Sequence, residues 1–187
     1  MKEMKCAIPE YAVPEYATAE DIKRVRKKLG LTQKDFAVLV GSSKPTIERW
    51  ESGKSDVTGP IVLLLYMLEL NPTFVETIKV PKKDYPVRLW YMHKQAVCTL
   101  IEINEMKREI RIRNYTDHIM FRAFGVNENP TYEEYLEFLE SRCFPEGRDK
   151  MKLVLKDLDI PFYDPFMIIE KTEGRMAEDD FWIRIER

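Results

Sequence analysis

Three short stretches with the apolar spacing of helices lie between residues 18 and 53, and only a few residues separate one from the next. Their apolar positions are Ile22, Val25 and Leu29, then Phe36, Ala37 and Val40, then Ile47 and Trp50. Within each stretch these positions fall on one face of a helix. The sequence therefore predicts three short amphipathic helices that share one small core.

Capping residues indicate where these helices begin. Thr18 and Thr32 each have an acid three residues later, which predicts N-caps for the first and second helices. Ser42 or Ser43 is the expected N-cap of the third helix, and Gly41 permits a sharp turn before it. Helices joined by such a turn form a helix-turn-helix arrangement.

The same region resembles the lambda-repressor/Cro-type (XRE) family of DNA-binding regulators over roughly residues 18–80. The residues that carry the resemblance are Leu31-Thr32-Gln33, Ala37, Gly41-Ser42, Thr46-Ile47, Trp50-Glu51 and Gly53. In that family the third helix enters the major groove of DNA. The resemblance therefore implies base contacts from Lys44, Thr46 and Arg49, and a phosphate contact from Gln33.

Arg49 is the best candidate for sequence readout, because a guanidinium group can bond both O6 and N7 of guanine. Lys44 can read a base or bind a phosphate, and Pro45 can offer only apolar contact, for example to a thymine methyl group. Ser43 and Lys54 complete the predicted DNA-binding set. The alternative is that Lys44 and Arg49 are ordinary solvated charges on a helical bundle.

Charge is distributed unevenly along the chain. The 187 residues carry a net charge of −2, yet residues 20–56 hold nine Lys and Arg against six acids, a net charge of +3. Residues 127–187 hold sixteen acids against nine Lys and Arg, a net charge of −7. A basic module is thus joined to an acidic one, and its modest charge favours dimerisation and a few placed contacts as the source of DNA affinity.

Several classes of protein are disfavoured by composition. The apolar run at residues 61–68 is far shorter than the ~20 residues of a membrane span, and residues 1–6 lack an apolar signal-peptide core. Cys6, Cys98 and Cys143 are widely spaced, which predicts neither a disulfide framework nor a zinc site. We therefore expect a cytoplasmic protein with no membrane attachment, metal or cofactor.

The sequence divides into four segments. Residues 1–17 repeat Pro-Glu-Tyr-Ala and predict an extended arm. Residues 18–81 form the predicted helix-turn-helix domain of five short helices, residues 82–86 a polar linker, and residues 87–187 a second domain. The first domain, from its Arg-Lys-Lys-Leu-Gly-Leu-Thr-Gln-Lys segment to Leu-Glu-Leu-Asn-Pro, is also similar to the DNA-binding half of MqsA-type antitoxins, although it lacks the zinc domain of that family.

Apolar residues alternate in the second domain, which predicts three antiparallel strands at residues 87–92, 97–103 and 109–113. Helices are expected at residues 115–124, from Thr131 until Cys143-Phe144-Pro145, at 148–158 and at 164–169, and a final strand at 180–185. The predicted class is therefore a mainly helical first domain followed by an α+β domain with a small antiparallel sheet.

The second domain resembles the segment that precedes the catalytic part of HipA-like serine/threonine kinases. The residues that carry this likeness are Leu89-Trp90-Tyr91-Met92-His93-Lys94, Glu140-Ser141-Arg142-Cys143-Phe144-Pro145, Arg148, Lys171 and Asp179-Asp180-Phe181-Trp182-Ile183. The sequence holds no Gly-rich phosphate loop, His-Arg-Asp or Asp-Phe-Gly element. The resemblance implies a non-catalytic copy that pairs with, mimics or restrains such a kinase.

Three functional hypotheses follow. The first is a homodimeric repressor that binds a palindromic operator in double-stranded DNA and serves as an autoregulating antitoxin, with its second domain holding a HipA-like kinase toxin. The second is a stand-alone or mobile-element repressor whose second domain dimerises or senses a ligand. The third is an enzyme that uses Cys143 as a nucleophile, or an acid pair, in a pocket of the second domain. We expect instead that the protein is not an enzyme.

Overall fold

The computed structural model describes residues 10–187, which form two compact units that divide between Lys79 and Val80. The first unit contains five α-helices and a two-stranded ribbon, as the sequence predicted for the helices. Its elements are β1 Tyr16–Ala17, α1 Ala19–Lys28, α2 Gln33–Leu39, α3 Lys44–Glu51, β2 Val57–Thr58, α4 Pro60–Leu70 and α5 Phe74–Ile78.

The first three helices begin at the residues that the sequence indicated. The Thr18 hydroxyl accepts from the Asp21 N–H at 3.3 Å, and the Asp21 carboxylate accepts from the Thr18 N–H at 2.9 Å, which completes a capping box. Thr32 caps α2, and Ser43, rather than Ser42, caps α3. Gly41 lies between α2 and α3 with φ of 63°, a backbone conformation that favours glycine.

The core of the first unit lies where α1, α2, α3 and α4 meet. Ile22, Phe36 and Ile47, one from each of the first three helices, are fully buried. Leu65 and Leu68 of α4 close this core from another side. Burial of such side chains contributes about 1.5–3 kcal/mol each, so packing rather than helix propensity holds these short helices.

The predicted arm, residues 1–17, joins the first unit at its end. Tyr16 pairs with Thr58 and Ala17 with Val57 in the antiparallel β1–β2 ribbon, and Ala17 is buried in the core. Tyr16 and Ala17 are therefore extended, as predicted for the arm, and Ala17 packs into the core directly before the Thr18 cap. Residues 1–9 lie outside the described part of the chain.

The second unit is a four-stranded antiparallel sheet with three α-helices and one 3₁₀ turn. Its elements are β3 Val87–His93, β4 Ala96–Asn104, β5 Glu109–Asn114, the 3₁₀ turn Ile119–Phe121, α6 Tyr132–Ser141, α7 Met151–Asp157, α8 Pro165–Thr172 and β6 Phe181–Glu186. The strand order is β5-β4-β3-β6, so the last strand returns beside the first strand of this sheet. The mixed fold class predicted from the sequence is confirmed.

One face of this sheet forms the core of the second unit. Leu89, Ile101 and Ile183 are at most 1% exposed and lie on adjacent strands. Tyr135 of α6 and Ile168 of α8 pack in the same cluster. Alternation along each strand therefore directs one set of side chains to the helices and the other set to the opposite face.

The helix predicted at residues 115–124 is wrong, since only the 3₁₀ turn Ile119–Phe121 forms there. Polar groups of this segment bond to other partners instead of to a helical backbone. The Ala123 N–H donates to the Thr99 hydroxyl of β4 at 3.1 Å, and Arg122 Nε donates to the Thr116 carbonyl at 2.8 Å. These contacts hold the chain along the sheet.

The predicted linker, residues 82–86, is bonded to the sheet of the second unit. The Asp84 N–H donates to the Glu102 carboxylate at 3.3 Å, and Lys83 Nζ donates to the Glu186 carbonyl at 3.2 Å. The backbone of Asp84 and the side chain of Lys83 thus bond this segment to the sheet.

Candidate nucleic-acid interface

Helix α3 separates an exposed face from a buried one. Ile47 and Glu51, one turn apart, point into the unit, with 0% and 7% of their surfaces exposed. Lys44, Pro45 and Arg49 are exposed on the other side, together with Glu48. Because residues four apart lie on the same side of a helix, Pro45 and Arg49 are neighbours, as are Lys44 and Glu48.

The first turn of α3 is organised by two hydroxyl groups. The Ser43 hydroxyl accepts from the Thr46 N–H at 3.3 Å, and the hydroxyl oxygens of Ser43 and Thr46 are 2.9 Å apart. Both residues were predicted to contact DNA. Their hydroxyl groups already bond to each other, so a DNA contact by either one would share a hydroxyl that also serves the cap.

Lys44, a predicted base or phosphate contact, forms an ion pair on the exposed face. Its Nζ lies 2.6 Å from the Glu48 carboxylate, and about half of each side chain is exposed. Exposed pairs four residues apart contribute only about 0.3–0.5 kcal/mol. Lys44 can therefore exchange Glu48 for a phosphate or a base at little cost.

Arg49 and Lys54 are the least constrained of the predicted contacts. Both side chains are exposed, and no hydrogen bond or ion pair holds either one within residues 10–187. Arg49 lies in the middle of the exposed face of α3, whereas Lys54 lies in the loop that follows the helix. The guanidinium group of Arg49 keeps all its donors available for base edges.

Gln33, the predicted phosphate contact, belongs to a network beneath the exposed face. Its side-chain amide nitrogen donates to the Glu51 carboxylate at 2.8 Å. Arg26 of α1 donates to the same carboxylate from Nε at 2.6 Å and from Nη2 at 3.1 Å, and to the Leu31 carbonyl at 3.0 Å. A side-chain amide has two N–H donors, so Gln33 retains one for a phosphate.

The network holds Glu51 in its ionised form. Burial opposes the charge on Glu51, but the hydrogen bonds from Arg26 and Gln33 outweigh it, so the pKa of Glu51 lies below its ordinary value. The same bond raises the pKa of Arg26 above its ordinary value, against a smaller opposing effect of burial. A charged pair thus joins α1 to α3, and Gln33 connects α2 to both.

Sequence reasoning missed three residues of this surface: Arg26, Glu48 and Glu51. A signal for Glu51 was present, since this acid falls four residues after the apolar Ile47 and so shares its buried face. A buried carboxylate needs a cationic partner, and the Lys and Arg residues of α1 were candidates for this role. Glu48 gave the opposite signal, an acid on the face predicted to meet DNA.

Residues 22–65 match the family model for the helix-turn-helix, HTH_3. This segment is a helix-turn-helix domain. The match runs from Ile22 of α1 to Leu65 of α4 and includes Gln33, the exposed face of α3 and Lys54. It supports a DNA-binding transcriptional regulator of the XRE type.

No curated protein and no solved structure matches the chain. The family match covers the helix-turn-helix domain and not the second unit. The resemblances to MqsA-type antitoxins and to HipA-like kinases therefore stay predictions.

The second unit contains Cys143, the nucleophile of the predicted enzyme alternative. Cys143 is buried, and its thiol donates to the Pro165 carbonyl oxygen at 3.4 Å. Burial raises the pKa of the Cys143 thiol to about 12, which leaves almost no thiolate at neutral pH.

In the part of the chain that the structure describes, no helix is long and apolar enough to cross a membrane.

Proposed function

We propose that this chain is a sequence-specific transcriptional regulator that binds a palindromic operator as a homodimer in the cytoplasm. The observation that carries the proposal is Arg49, which is exposed and has no side-chain bond among residues 10–187, on a helix that a partly buried ion pair holds in place. A reading helix must present its side chains in a fixed orientation, because base-edge hydrogen bonds tolerate little error.

The proposed contacts divide into reading and positioning. Arg49 reads a guanine, and Lys44, released from Glu48, contacts a base or a phosphate. Gln33 and Lys54 bind phosphates and set the depth of α3 in the groove. Pro45 and the methyl group of Thr46 offer apolar contact, while Ser43 fixes the first turn of the helix.

An apolar surface on α4 and α5 supports the homodimer. Leu63, Met67 and Leu70 share one face of α4, and Phe74 and Ile78 share one face of α5. All five side chains are 44–68% exposed. Contiguous exposed apolar side chains mark interaction sites more often than solvated surface. A homodimer formed through this face would supply the two α3 helices that a palindromic site requires.

The second unit supports the finer proposal that the regulator is an antitoxin. It folds as a compact body of its own, and the thiol of Cys143 is unsuited to catalysis, so we infer a non-enzymatic role in binding a partner. The proposed partner is a HipA-like kinase toxin, by the resemblance of residues 87–185. The alternative is a stand-alone or mobile-element repressor whose second unit dimerises or senses a ligand.

Selection from a random duplex library with the full chain tests DNA recognition. We expect enrichment of a palindrome whose half-sites lie about one helical turn, ~34–36 Å, apart. Met67→Glu should weaken binding to the palindrome but not to a single half-site, because it places a charge in the proposed dimer surface. Failure to enrich any sequence would refute the proposal, and a single unpaired half-site would refute the dimer.

Capture with the tagged full chain from the native cell tests the antitoxin proposal. Recovery of a HipA-like kinase, and its loss when residues 80–187 are omitted from the bait, are the expected results. Recovery of the chain alone would contradict the antitoxin proposal and favour the stand-alone repressor.

A further inference from the structure

The two edges of the sheet in the second unit differ in how their backbone groups are used. In an antiparallel pair, alternate residues direct their N–H and C=O groups to the partner strand, and the residues between them direct these groups outward. At the β6 edge the outward residues include Phe181 and Ile183. The Phe181 N–H donates to the Asp179 carboxylate at 2.9 Å, and the Phe181 carbonyl accepts from Arg142 at 3.1 Å. The Ile183 N–H donates to the Glu173 carbonyl at 2.7 Å, so this edge is largely closed by the chain itself.

The β5 edge is not closed in this way. The Tyr115 N–H donates to the Cys98 carbonyl at 2.9 Å, and the register continues from there to the start of β5 without a bulge. Ile110 and Ile112 are therefore outward residues. Among residues 10–187, no group bonds to the outward N–H or C=O of either one. Strand β5 thus has backbone donors and acceptors available for a further strand.

The side chains of this edge combine a cation with apolar surface. Arg111 is 62% exposed, and its guanidinium carbon lies 4.6 Å from the centroid of the Tyr85 ring. Its ion pair with the exposed Asp84 carboxylate, at 3.9 Å, is weak and easily exchanged. Ile110 and Ile112 point to the other face, where they pack against the core but are only partly buried.

A second copy of the chain fits this edge poorly. Two antiparallel β5 strands must match outward residues with outward residues, which limits their registers. A two-fold axis at Ile112 places Arg111 opposite Arg113 in both directions, and an axis at Arg111 places that residue opposite its own copy. Like charges directly opposite destabilise both pairings. An axis at Ile110 matches Glu109 with Arg111, but it overlaps only residues 109–111.

We propose that the β5 edge accepts, by strand addition, an extended segment of a partner protein in which apolar and acidic residues alternate. The inference rests on the proposed partner-binding role of the second unit, and it names the surface and the chemistry of that contact. The added strand bonds through its backbone to Ile110 and Ile112. Because side chains alternate between the faces of a sheet, its acids meet Arg111 while its apolar residues cover the exposed parts of Ile110 and Ile112.

Amide hydrogen exchange of the full chain, measured by NMR, tests strand addition. The probe is a capped peptide of about seven residues, the length of a strand, in which Val and Glu alternate. At a peptide concentration about ten times its Kd, exchange at Ile110 and Ile112 should slow about 11-fold. Ile185, an outward residue of β6, is the internal control, and its exchange should be unaltered.

Three variants separate the charge of the edge from its backbone groups. Arg111→Glu should weaken the Glu peptide about two- to fivefold and favour the same peptide with Lys in place of Glu. Arg111→Lys retains the charge and should keep the parental preference. Ile112→Pro removes an N–H that β4 does not use, so it should weaken the peptide about fivefold. Arg111 is exposed, so its variants test the proposal even if Ile112→Pro fails to fold.

Unchanged exchange at Ile110 and Ile112 in millimolar Glu peptide would overturn the proposal. Equal affinity of the Glu and Lys peptides would overturn it too, because the acidic partner depends on Arg111. Protection that rises with protein concentration, without any peptide, would assign the edge to a second copy instead.

The peptide experiment contains no DNA, so its failure differs from failure of the proposed function. An enriched palindrome with no peptide binding would overturn strand addition and leave the regulator intact. Loss of the captured kinase from an Ile112→Pro bait that still binds the operator would support the toxin as the partner on this edge. Selection that enriches no duplex, while the Glu peptide protects Ile110 and Ile112, would refute the DNA-binding proposal and support strand addition.

Discussion

The Gln33 side-chain amide donates to the buried Glu51 carboxylate at 2.8 Å, and so connects the first turn of α2 to the last turn of α3. The same carboxylate pairs with Arg26 of α1. One acid thereby holds three helices whose own lengths, seven to ten residues, are too short for stability alone. The relationship also fixes a predicted phosphate contact relative to the predicted reading helix.

Glu51→Gln should destabilise the helix-turn-helix domain by about 3 kcal/mol, because it leaves Arg26 charged and poorly partnered in a partly buried site. Amide hydrogen exchange of α1, α2 and α3 measures this loss locally, which matters in a chain of two units. A loss of this size corresponds to an ~100-fold fall in protection. Glu48→Gln on the same helix should change protection by less than about 0.5 kcal/mol, since Glu48 is exposed.

A double variant distinguishes the loss of the Arg26–Glu51 ion pair from the cost of leaving Arg26 charged without a partner. Replacing both partners, with Arg26→Met and Glu51→Leu, should cost less than Glu51→Gln alone because neither charge remains buried. A double variant as unstable as the single one would contradict the assignment of the loss to an unpaired Arg26.

Low pH should destabilise the packing of α1, α2 and α3, because it protonates the Glu51 carboxylate. The pKa of Glu51 is lowered in the fold, so its contribution is complete above the unfolded value of about 4.3 and is lost as pH falls through the folded value. Between about pH 5 and pH 3, hydrogen-exchange protection should therefore fall more in the parent than in Glu51→Gln. Asp21, whose pKa is lowered by its bond with Thr18, is present in both proteins, so its contribution to the pH dependence is the same in each. Parallel pH curves would refute the role of Glu51.

The sequence was sufficient to predict α1, α2 and α3 because each carries two independent signals. The caps at Thr18, Thr32 and Ser43 and the buried positions between them agree, so local and tertiary preferences coincide. The network of Glu51 with Arg26 was not predicted, since five cations lie within residues 23–28 and periodicity does not say which one a buried acid will meet.

The second unit was less predictable where side chains, not periodicity, decide the path. Apolar and polar residues alternate along its strands in the sequence, so the sheet could be predicted. The helix predicted at residues 115–124 does not form, because the Ala123 N–H donates to the Thr99 hydroxyl, which is distant in sequence. The order of the strands also depends on β6 returning beside β3, a long-range pairing that no local pattern encodes.

Arg49→Ala should cost ~1–3 kcal/mol of operator binding and relax the preference at one base pair, because a guanine loses a bidentate partner. Binding to operators with single substitutions at each position measures both effects. Lys54→Ala is the matched control, since Lys54, like Arg49, has no side-chain bond within the described part of the chain but lies beyond the helix. It should weaken all sequences alike and reduce the salt slope by about 0.9. A uniform loss for Arg49→Ala as well would remove its role in readout.

Glu48→Gln should tighten DNA binding to all sequences. The substitution removes an acid from the exposed face of α3 and releases Lys44, which lies 2.6 Å from that carboxylate. One additional phosphate contact should steepen the salt slope by about 0.9 and raise affinity several-fold at low salt. Glu20→Gln, which opens the exposed Glu20–Lys23 pair of α1, controls for net charge and should have a smaller effect. If Glu48→Gln instead weakened only operators with a particular cytosine, Glu48 would be a base-reading residue that accepts from the cytosine amino group.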